Sequence, residues 1–241
     1  MAWRIVPLCV GVLRDRPKES ITFRRGTGKT VDLACFSWLL EGGGDPIVID
    51  TGPGSAELTR SVHSVKLEER QGLAEQLAAR GYDPAQIRTV ILTHLHWDHC
   101  YRNALLPNAD LWVQESEIRY SVFPLPCDHL VYEFETRPPF LSELTRMRGV
   151  DGTMELVPGV TLIPTPGHSP GHQSVLVTTA DGPQLIAGDQ YDLFENLHDA
   201  CPSGPTVDLA SWYRSHELVR RLGANVLPGH DMAVLDHAVY G

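Results

Sequence analysis

The sequence lacks several features that would place it in a special structural class. No apolar run approaches the ~20 residues of a membrane-spanning helix, and no internal repeat or low-complexity tract is present. The cysteines number only five and are scattered, with no paired spacing. This pattern is typical of a reducing cytoplasm and not of a disulfide framework. The absences predict a water-soluble globular protein of the cytoplasm.

The sequence also contains fewer basic than acidic residues. Lys and Arg total 20 against 30 Asp and Glu, which gives a formal net charge of −10. An acidic chain is a poor counterion for phosphate backbones or anionic lipid, so neither nucleic acid nor a membrane is expected as a partner. The segment MAWRIVPLCVGVLRDRP lacks a basic start and a small-residue cleavage site, and it predicts a first strand instead of a signal peptide.

Strand and helix patterns alternate along the chain. Alternating or β-branched apolar runs predict strands, including 5–12, 32–40, 46–50 and 88–93. Helical spacing of apolar residues predicts helices at 68–80 and 209–222. Two strand-rich halves, each with its own helices, favour a layered α/β sandwich in a single domain over 1–241.

Residues 121–145 do not fit this alternation and are rich in Pro, Phe and Leu. They are a candidate substrate lid, in which four apolar side chains would line a pocket together with Trp97. The four are Phe123, Leu125, Phe140 and Leu141. Equal alternatives are a satellite core under a long loop and a contact within a homodimer.

The segment THLHWDHC, residues 93–100, follows a predicted strand and concentrates imidazoles. His94 and His96 share one face of an extended chain and can therefore bind one ion. Asp98 and His99 follow a turn and can bind a second ion. Imidazole and carboxylate ligands without a cysteine set favour zinc or a related divalent metal in a hydrolytic role. Surface histidines are the weaker alternative.

Further ligands are expected downstream, and three candidates each stand beside a glycine near a strand end. They are His168 in TPGHSPGH, Asp189 in IAGDQ and His230 in LPGHD. Glycine lets the backbone approach a crowded site closely. An aspartate after an apolar strand can bridge two cations and offset part of their repulsion.

The segment RRGTGKT, residues 24–30, is similar to a phosphate-binding loop but does not match the full motif. That motif requires glycine at position 23, where this chain has Phe23, and no strongly apolar strand precedes it. Gly26 and Gly28 are instead predicted to form a loop or hairpin turn.

HLHWDH, TPGHSPGHQS, GDQ and PGHD, in this order, resemble the metallo-β-lactamase superfamily. The resemblance extends from LLEGGGDPIVIDTG to PGHD, nearly the whole chain. It implies an α/β fold, the αββα four-layer sandwich, with a dinuclear metal site at one edge. Within the superfamily, the segments are most similar to the N-acyl-homoserine lactonases of the quorum-quenching branch.

The resemblance implies a role for each candidate ligand. Metal 1 would be held by His94, His96 and His168. Metal 2 would be held by Asp98, His99 and His230. Asp189 would bridge both ions together with a water or hydroxide. His172 is expected to be a neighbour of the ligands and not a ligand, and Asp50 is expected to support the ligand loop by hydrogen bonding.

Two divalent ions, expected to be zinc, would make hydroxide available at neutral pH and polarise a carbonyl. Asp98 could orient this nucleophile or carry its proton to the leaving oxygen. The prediction is a hydrolase that opens the lactone ring of a small-molecule substrate. An ester, amide, thioester or β-lactam hydrolase of the same fold is the first alternative. A non-catalytic binding protein and a diiron redox protein are less favoured.

One position departs from the lactonase pattern. The lactonases carry a tyrosine three residues after the bridging aspartate, where it helps to hold the substrate carbonyl. This chain has Asp192 there, and Tyr191 one residue earlier. Either Tyr191 reaches the substrate through a local shift, as a catalytic residue, or the substrate is not an acyl-homoserine lactone. Packing of Tyr191 against the sheet is the alternative.

Overall fold

A computed structural model describes residues 2–241, in which two β-sheets carry helices on their outer faces. The first sheet contains β1 (Arg4–Pro17), β2 (Thr30–Glu41), β3 (Ile47–Ile49), β4 (Lys66–Glu69), β5 (Thr89–Ile91), β6 (Asp110–Gln114) and β7 (Met147–Val150). The second contains β8 (Met154–Val157), β9 (Val160–Pro164), β10 (Gln173–Thr179), β11 (Gly182–Ile186) and β12 (Asn225–Leu227). The helices are α1 (Ala56–His63), α2 (Leu73–Ala79), α3 (Trp97–Cys100), α4 (Glu115–Ser121), α5 (Phe194–His198) and α6 (Leu209–Leu222).

Both sheets are mixed. The first has the order β4-β1-β2-β3-β5-β6-β7, in which β3, β5, β6 and β7 run parallel and the other pairs are antiparallel. The second has the order β12-β11-β10-β9-β8, with only β11 and β12 parallel. The chain passes from the first sheet to the second between β7 and β8. Each sheet is therefore built almost entirely from one half of the sequence.

The two sheets pack face to face. Phe36 and Trp38 of the first sheet belong to the same buried cluster as Val175 of the second. On the outer face of the first sheet, Leu73 and other residues of α2 pack against a second cluster. On the outer face of the second sheet, Trp212 of α6 packs against Leu185 in a third. The layers are thus α, β, β and α, which confirms the predicted sandwich.

Strand β2 shows why a continuous apolar run forms a strand here. Leu33, Cys35 and Leu39 face the outer cluster of the first sheet. Ala34 and Phe36, on the opposite face, enter the cluster between the sheets. Because successive side chains of a strand alternate in direction, a strand covered on both sides needs apolar residues at nearly every position.

The prediction of a helix over 68–80 was wrong at its beginning. Lys66–Glu69 forms the edge strand β4, which pairs with β1, and the helix covers only Leu73–Ala79. Leu67 is buried in the outer cluster of the first sheet, so tertiary packing outweighs helix propensity there. In residues 2–241, no helix has the length and apolar character needed to cross a membrane.

Candidate metal centre

The HLHWDH segment lies where the first sheet meets the second. Strand β5 ends at Ile91, and the chain continues through His94 and His96 into the short helix α3. Both histidines and His99 are buried, whereas Asp98 is half-buried. The segment therefore contains three buried imidazoles and one carboxylate that is partly exposed to solvent.

The three downstream candidates come from connections of the second sheet. His168 lies between β9 and β10, Asp189 lies in a 3₁₀ turn directly after β11, and His230 follows β12. All three are buried. Two glycines make the close packing possible: a Cβ at Gly188 would lie 2.7 Å from His172 Nε2, and one at Gly171 would lie 2.0 Å from the Glu117 backbone nitrogen.

The structure brings all seven predicted ligands together in three overlapping groups. In each group, the possible ligand atoms lie within 4.8 Å of one another. The groups are His94, His96 and His168; His94, His99 and Asp189; and Asp98, His99 and His230. The first and third groups have the same members as the two sets that the family resemblance implied.

Asp189 lies between these two sets with one oxygen towards each. Its Oδ2 lies 3.4 Å from His168 Nε2 and 3.9 Å from His94 Nε2. Its Oδ1 lies 3.1 Å from both His99 Nε2 and His230 Nε2. A carboxylate in this position can contribute one oxygen to each of two neighbouring cations.

Some buried polar atoms at this centre have no hydrogen-bond partner within residues 2–241. They are the Nε2 atoms of His94 and His96. His99 Nε2 and Asp189 Oδ1 lie 3.1 Å apart but are not aligned for a hydrogen bond. An unpaired buried polar group is costly, and a cation would satisfy these lone pairs. Cys100 is not part of the donor set, because its Sγ donates to the Leu95 carbonyl at 3.4 Å. The residues present therefore fit two divalent ions.

Burial keeps two of the imidazoles at this centre in the form that binds metal. Burial lowers the pKa of His94 and His96 well below the usual range, which leaves both imidazoles neutral. Burial alone would raise the pKa of Asp189, but the adjacent His99 and His230 lower it well below its usual range. Asp189 in turn raises the pKa of His99 and His230, so these two imidazoles hold protons that metal binding would displace. Neutral imidazole and ionised carboxylate are the ligand states that divalent ions require.

The ring nitrogens that face away from the centre are held by the protein. His99 Nδ1 donates to Asp50 Oδ2 at 2.8 Å, and the same carboxylate accepts from the backbone nitrogen and hydroxyl of Thr93. His230 Nδ1 donates to the Ala34 carbonyl at 2.7 Å. Asp50 thus makes the hydrogen bonds expected of it, and these contacts fix the ring orientation of both histidines.

His172 is placed behind the centre, as the sequence analysis expected. Its Nε2 accepts a hydrogen bond of 3.0 Å from the Asp189 backbone nitrogen. Burial lowers its pKa to about 3, so the ring is neutral and can accept. His172 therefore fixes the turn that carries Asp189.

Glu117 is a buried residue at this site that the sequence analysis missed. Its carboxylate accepts hydrogen bonds from the Leu95 nitrogen at 3.0 Å, the Ser169 hydroxyl at 2.6 Å, the Gly171 nitrogen at 3.1 Å and the Tyr132 hydroxyl at 2.7 Å. It therefore ties the loop of His94 and His96 to the loop of His168. No sequence signal identified it, because an acidic residue in the first turn of a helix is usually exposed.

A cavity of about 710 Å³ opens onto the centre. Its wall contains His96, Asp98, His168, Asp189 and His230, together with Trp97, Val131 and Asp192. None of the four apolar side chains predicted to line it does so: Phe140 is buried in the core, and Phe123, Leu125 and Leu141 are exposed. Of the candidate lid 121–145, only Val131 reaches the cavity.

Tyr191 and Asp192 point in different directions. Tyr191 is fully buried beside Trp212, and its hydroxyl shares a 2.8 Å hydrogen bond with His216 Nδ1. Asp192 lines the cavity, and its Oδ1 has no hydrogen-bond partner in the described chain. This placement argues against a catalytic role for Tyr191, because its hydroxyl is committed to packing under the second sheet.

The chain is similar to a known protein family and to named enzymes. A family model described as the metallo-beta-lactamase superfamily matches residues 30–230. An N-acyl homoserine lactonase of Bacillus thuringiensis is 32% identical over 219 residues, covering 85% of this chain and 84% of its own. The lactonase AttM of Rhizobium radiobacter is 28% identical and covers 95% of this chain and 93% of its own.

Solved structures agree with these relatives. A structure of an N-acyl homoserine lactone hydrolase, with the product N-hexanoyl-L-homoserine bound at its catalytic metal centre, superposes with a TM-score of 0.80 at 26% identity. The match covers 98% of this chain and 96% of that one. The dizinc lactonase AidC shares the fold, with a TM-score of 0.72 at 17% identity, covering 95% of this chain and 88% of its own. Together with the family model, these matches establish that the chain belongs to the metallo-beta-lactamase superfamily.

Proposed function

We propose that this protein is a dinuclear metal-dependent hydrolase that opens the ring of a lactone, an N-acyl-homoserine lactone or a related cyclic ester. The observation that carries the proposal is the position of Asp189, whose two oxygens face two separate groups of ligands. The product-bound relative supports it, since that enzyme holds a ring-opened homoserine at its metal centre. The cavity of about 710 Å³ has room for a small acylated lactone.

The seven side chains would hold two divalent ions, and we propose zinc, because imidazole nitrogen and carboxylate oxygen are ligands that zinc accepts. When bound, such ions polarise a carbonyl and lower the pKa of water. The protein itself contributes a rigid donor set, held from behind by Asp50, His172 and Glu117. Its buried position limits the water that competes for the ligands.

We propose Asp98 as the group that moves the proton during ring opening. Among the proposed ligands it is the one with the greatest exposure, and it lines the cavity. Its Oδ1 faces His99 Nε2 at 3.9 Å, which leaves Oδ2 as the oxygen that can carry a proton. Ring opening forms a carboxylate and an alcohol, so the leaving oxygen must gain a proton, which Asp98 can supply after taking it from the attacking water.

We propose that Asp192, and not Tyr191, is the polar contact of the substrate at this end of the cavity. Asp192 lines the cavity, and burial together with the neighbouring Asp189 raises the pKa of its carboxyl group well above the usual range, so the neutral acid can donate a hydrogen bond to a substrate carbonyl. In this form Asp192 would make the same kind of contact as the tyrosine hydroxyl of the lactonases, which donates to a carbonyl.

The proposal extends to the domain organisation, the cellular compartment and the assembly of the protein. We propose that 1–241 acts as a single domain in a reducing cytoplasm, where the five free cysteines would stay reduced. A homodimer is also proposed, and analytical ultracentrifugation tests it. Neither nucleic acid nor a membrane surface is proposed as a partner, because the chain carries a formal net charge of −10.

A panel of lactones tests the proposed reaction. We expect the metal-loaded protein to release protons from at least one lactone with kcat/KM of about 10⁴ M⁻¹s⁻¹ or more. The products should be ring-opened hydroxy acids by mass spectrometry. Protein stripped with a chelator is the control and should be inactive until metal is restored. Turnover of linear esters, thioesters or β-lactams with no lactone opened would contradict the proposal in favour of another hydrolase.

A further inference from the structure

The substrate cavity has a second polar region away from the metal ligands. The connection between β1 and β2, with the end of β1, contributes Arg16, Phe23 and Arg24 to the cavity wall. This connection contains the segment RRGTGKT. The segment does not match a phosphate-binding loop, but part of it lies in the wall of this cavity.

Arg16 is a cation without a partner. Its side chain is half-buried in the cavity wall, and its Nε is buried with no hydrogen-bond acceptor in residues 2–241. Burying part of a guanidinium without a counter-charge is unfavourable. A ligand that brought a negative group to the accessible part of this guanidinium would offset that cost.

Arg24 adds a second positive charge to the same wall. It has a left-handed backbone conformation, with φ of 60°, and its guanidinium carbon lies 4.8 Å from the centre of the Phe23 ring. Stacking on an aromatic face holds a guanidinium while leaving its N–H groups free to donate. Arg24 is exposed, so its guanidinium is accessible to a ligand in the cavity.

The neighbouring basic residues differ from these two. Arg14 pairs with Asp32, Lys18 pairs with Glu195, and Arg25 pairs with Asp199 at 2.5 Å. Within residues 2–241, Arg16 and Arg24 form no ion pair, although Glu19 also lies in the cavity wall. Of the cations here that form no ion pair, Arg16 and Arg24 line the cavity and Lys29 does not.

The rest of this wall is apolar. Leu13, Ile21 and Leu33 are buried and line the cavity near the same connection. A substrate that reaches from the metal ligands to Arg16 would therefore pass an apolar surface before it meets the positive charge. An acyl chain with a charged end has this distribution of polarity.

We propose that Arg16, assisted by Arg24, is an anion-binding subsite, and that the substrate is a lactone whose acyl chain ends in an anionic group such as a carboxylate. The inference rests on the proposed lactonase function. It makes Arg16 a specificity-determining residue, because a guanidinium binds a carboxylate through charge-assisted hydrogen bonds. It also explains how an acidic protein can select an anionic substrate.

Two homoserine lactones that differ only at the chain end test the subsite. One is acylated with hexanoic acid and the other with adipic acid through a single carboxyl group. We expect kcat/KM to favour the carboxylated lactone, and we expect Arg16→Met to reduce this preference about tenfold, as for the loss of one charge-assisted hydrogen bond. Arg16→Lys should restore part of it. The matched control is Arg25→Met, which removes a cation of the same segment that pairs with Asp199 and should keep the preference.

A binding measurement separates the subsite from the reaction. Calorimetry with the N-cyclopentyl monoamide of adipic acid, which has no lactone ring, should show binding that weakens about tenfold in Arg16→Met. Lactone turnover with no preference for the carboxylate, and no effect of Arg16→Met on preference or binding, would overturn the subsite and leave the lactonase function intact. Binding that depends on Arg16, without turnover of these two lactones or of any lactone in the panel, would support the subsite and overturn the function.

Discussion

Replacing Asp189 by alanine is expected to lower kcat/KM for the best lactone by at least about a thousandfold and to reduce the metal content from two ions per chain to one or none. The reason is the position of this carboxylate, with Oδ2 towards His168 and Oδ1 towards His99 and His230. Without it, the two groups of ligands lose their shared anion, and two adjacent cations would repel each other across a short distance.

The measurement combines steady-state kinetics with elemental analysis of the purified variant. Asp181→Ala is the matched control, because Asp181 is an exposed aspartate in the turn before β11, and it should retain both metal and activity. An Asp189→Ala protein that binds two ions and keeps near-normal activity would show that the carboxylate does not bridge them.

Asp98→Asn is expected to have a different signature, a fall in kcat of about a hundredfold to ten-thousandfold with a small change in KM. The amide keeps the shape of the side chain but cannot take up a proton from water. His99, His230 and Asp189 remain to hold the second ion, so the metal content should stay close to two.

The proton-transfer role is checked by measuring kcat and metal content together. Asp151→Asn, at an exposed position, serves as the control and should behave as the unmodified protein. A metal-loaded Asp98→Asn protein with kcat within about tenfold of the original would assign the proton transfer to another group. Loss of metal in parallel with activity would limit Asp98 to a ligand role.

The metal centre could be predicted from sequence because its signals are local. His94 and His96 alternate after a strand, and His168, Asp189 and His230 each stand beside a glycine near a strand end. Strand ends that meet at one edge of a sandwich bring such residues together. These stretches identify the candidate ligands and a layered α/β sandwich, whereas the division into two ligand sets and the αββα layering were implied by the resemblance to the metallo-β-lactamase superfamily.

The wall of the cavity could not be predicted in the same way. Whether Tyr191 or Asp192 faces the cavity depends on the backbone of a single turn, in which Gly188 has φ of 55° and the chain becomes extended at Tyr191. An offset of one residue in an extended segment reverses which side chain points inward. Sequence alone left both directions open.

Contacts between residues that are far apart in the sequence could not be predicted from it either. Glu117 joins two ligand loops, through Leu95 at a separation of 22 residues and Gly171 at 54. Trp97 stacks on His63 with ring centres 4.1 Å apart, and His63 pairs with Glu133. Such partners are set by tertiary packing, and their identities are not encoded in local periodicity.

The central claim is that two cations lie in this edge of the sandwich on either side of Asp189. Anomalous diffraction from crystals of the metal-loaded protein, recorded at the absorption edge of the bound metal, measures this directly. The account predicts two peaks, one among His94, His96 and His168 and the other among Asp98, His99 and His230. A fully active protein with no peak, a single peak, or peaks elsewhere would contradict it.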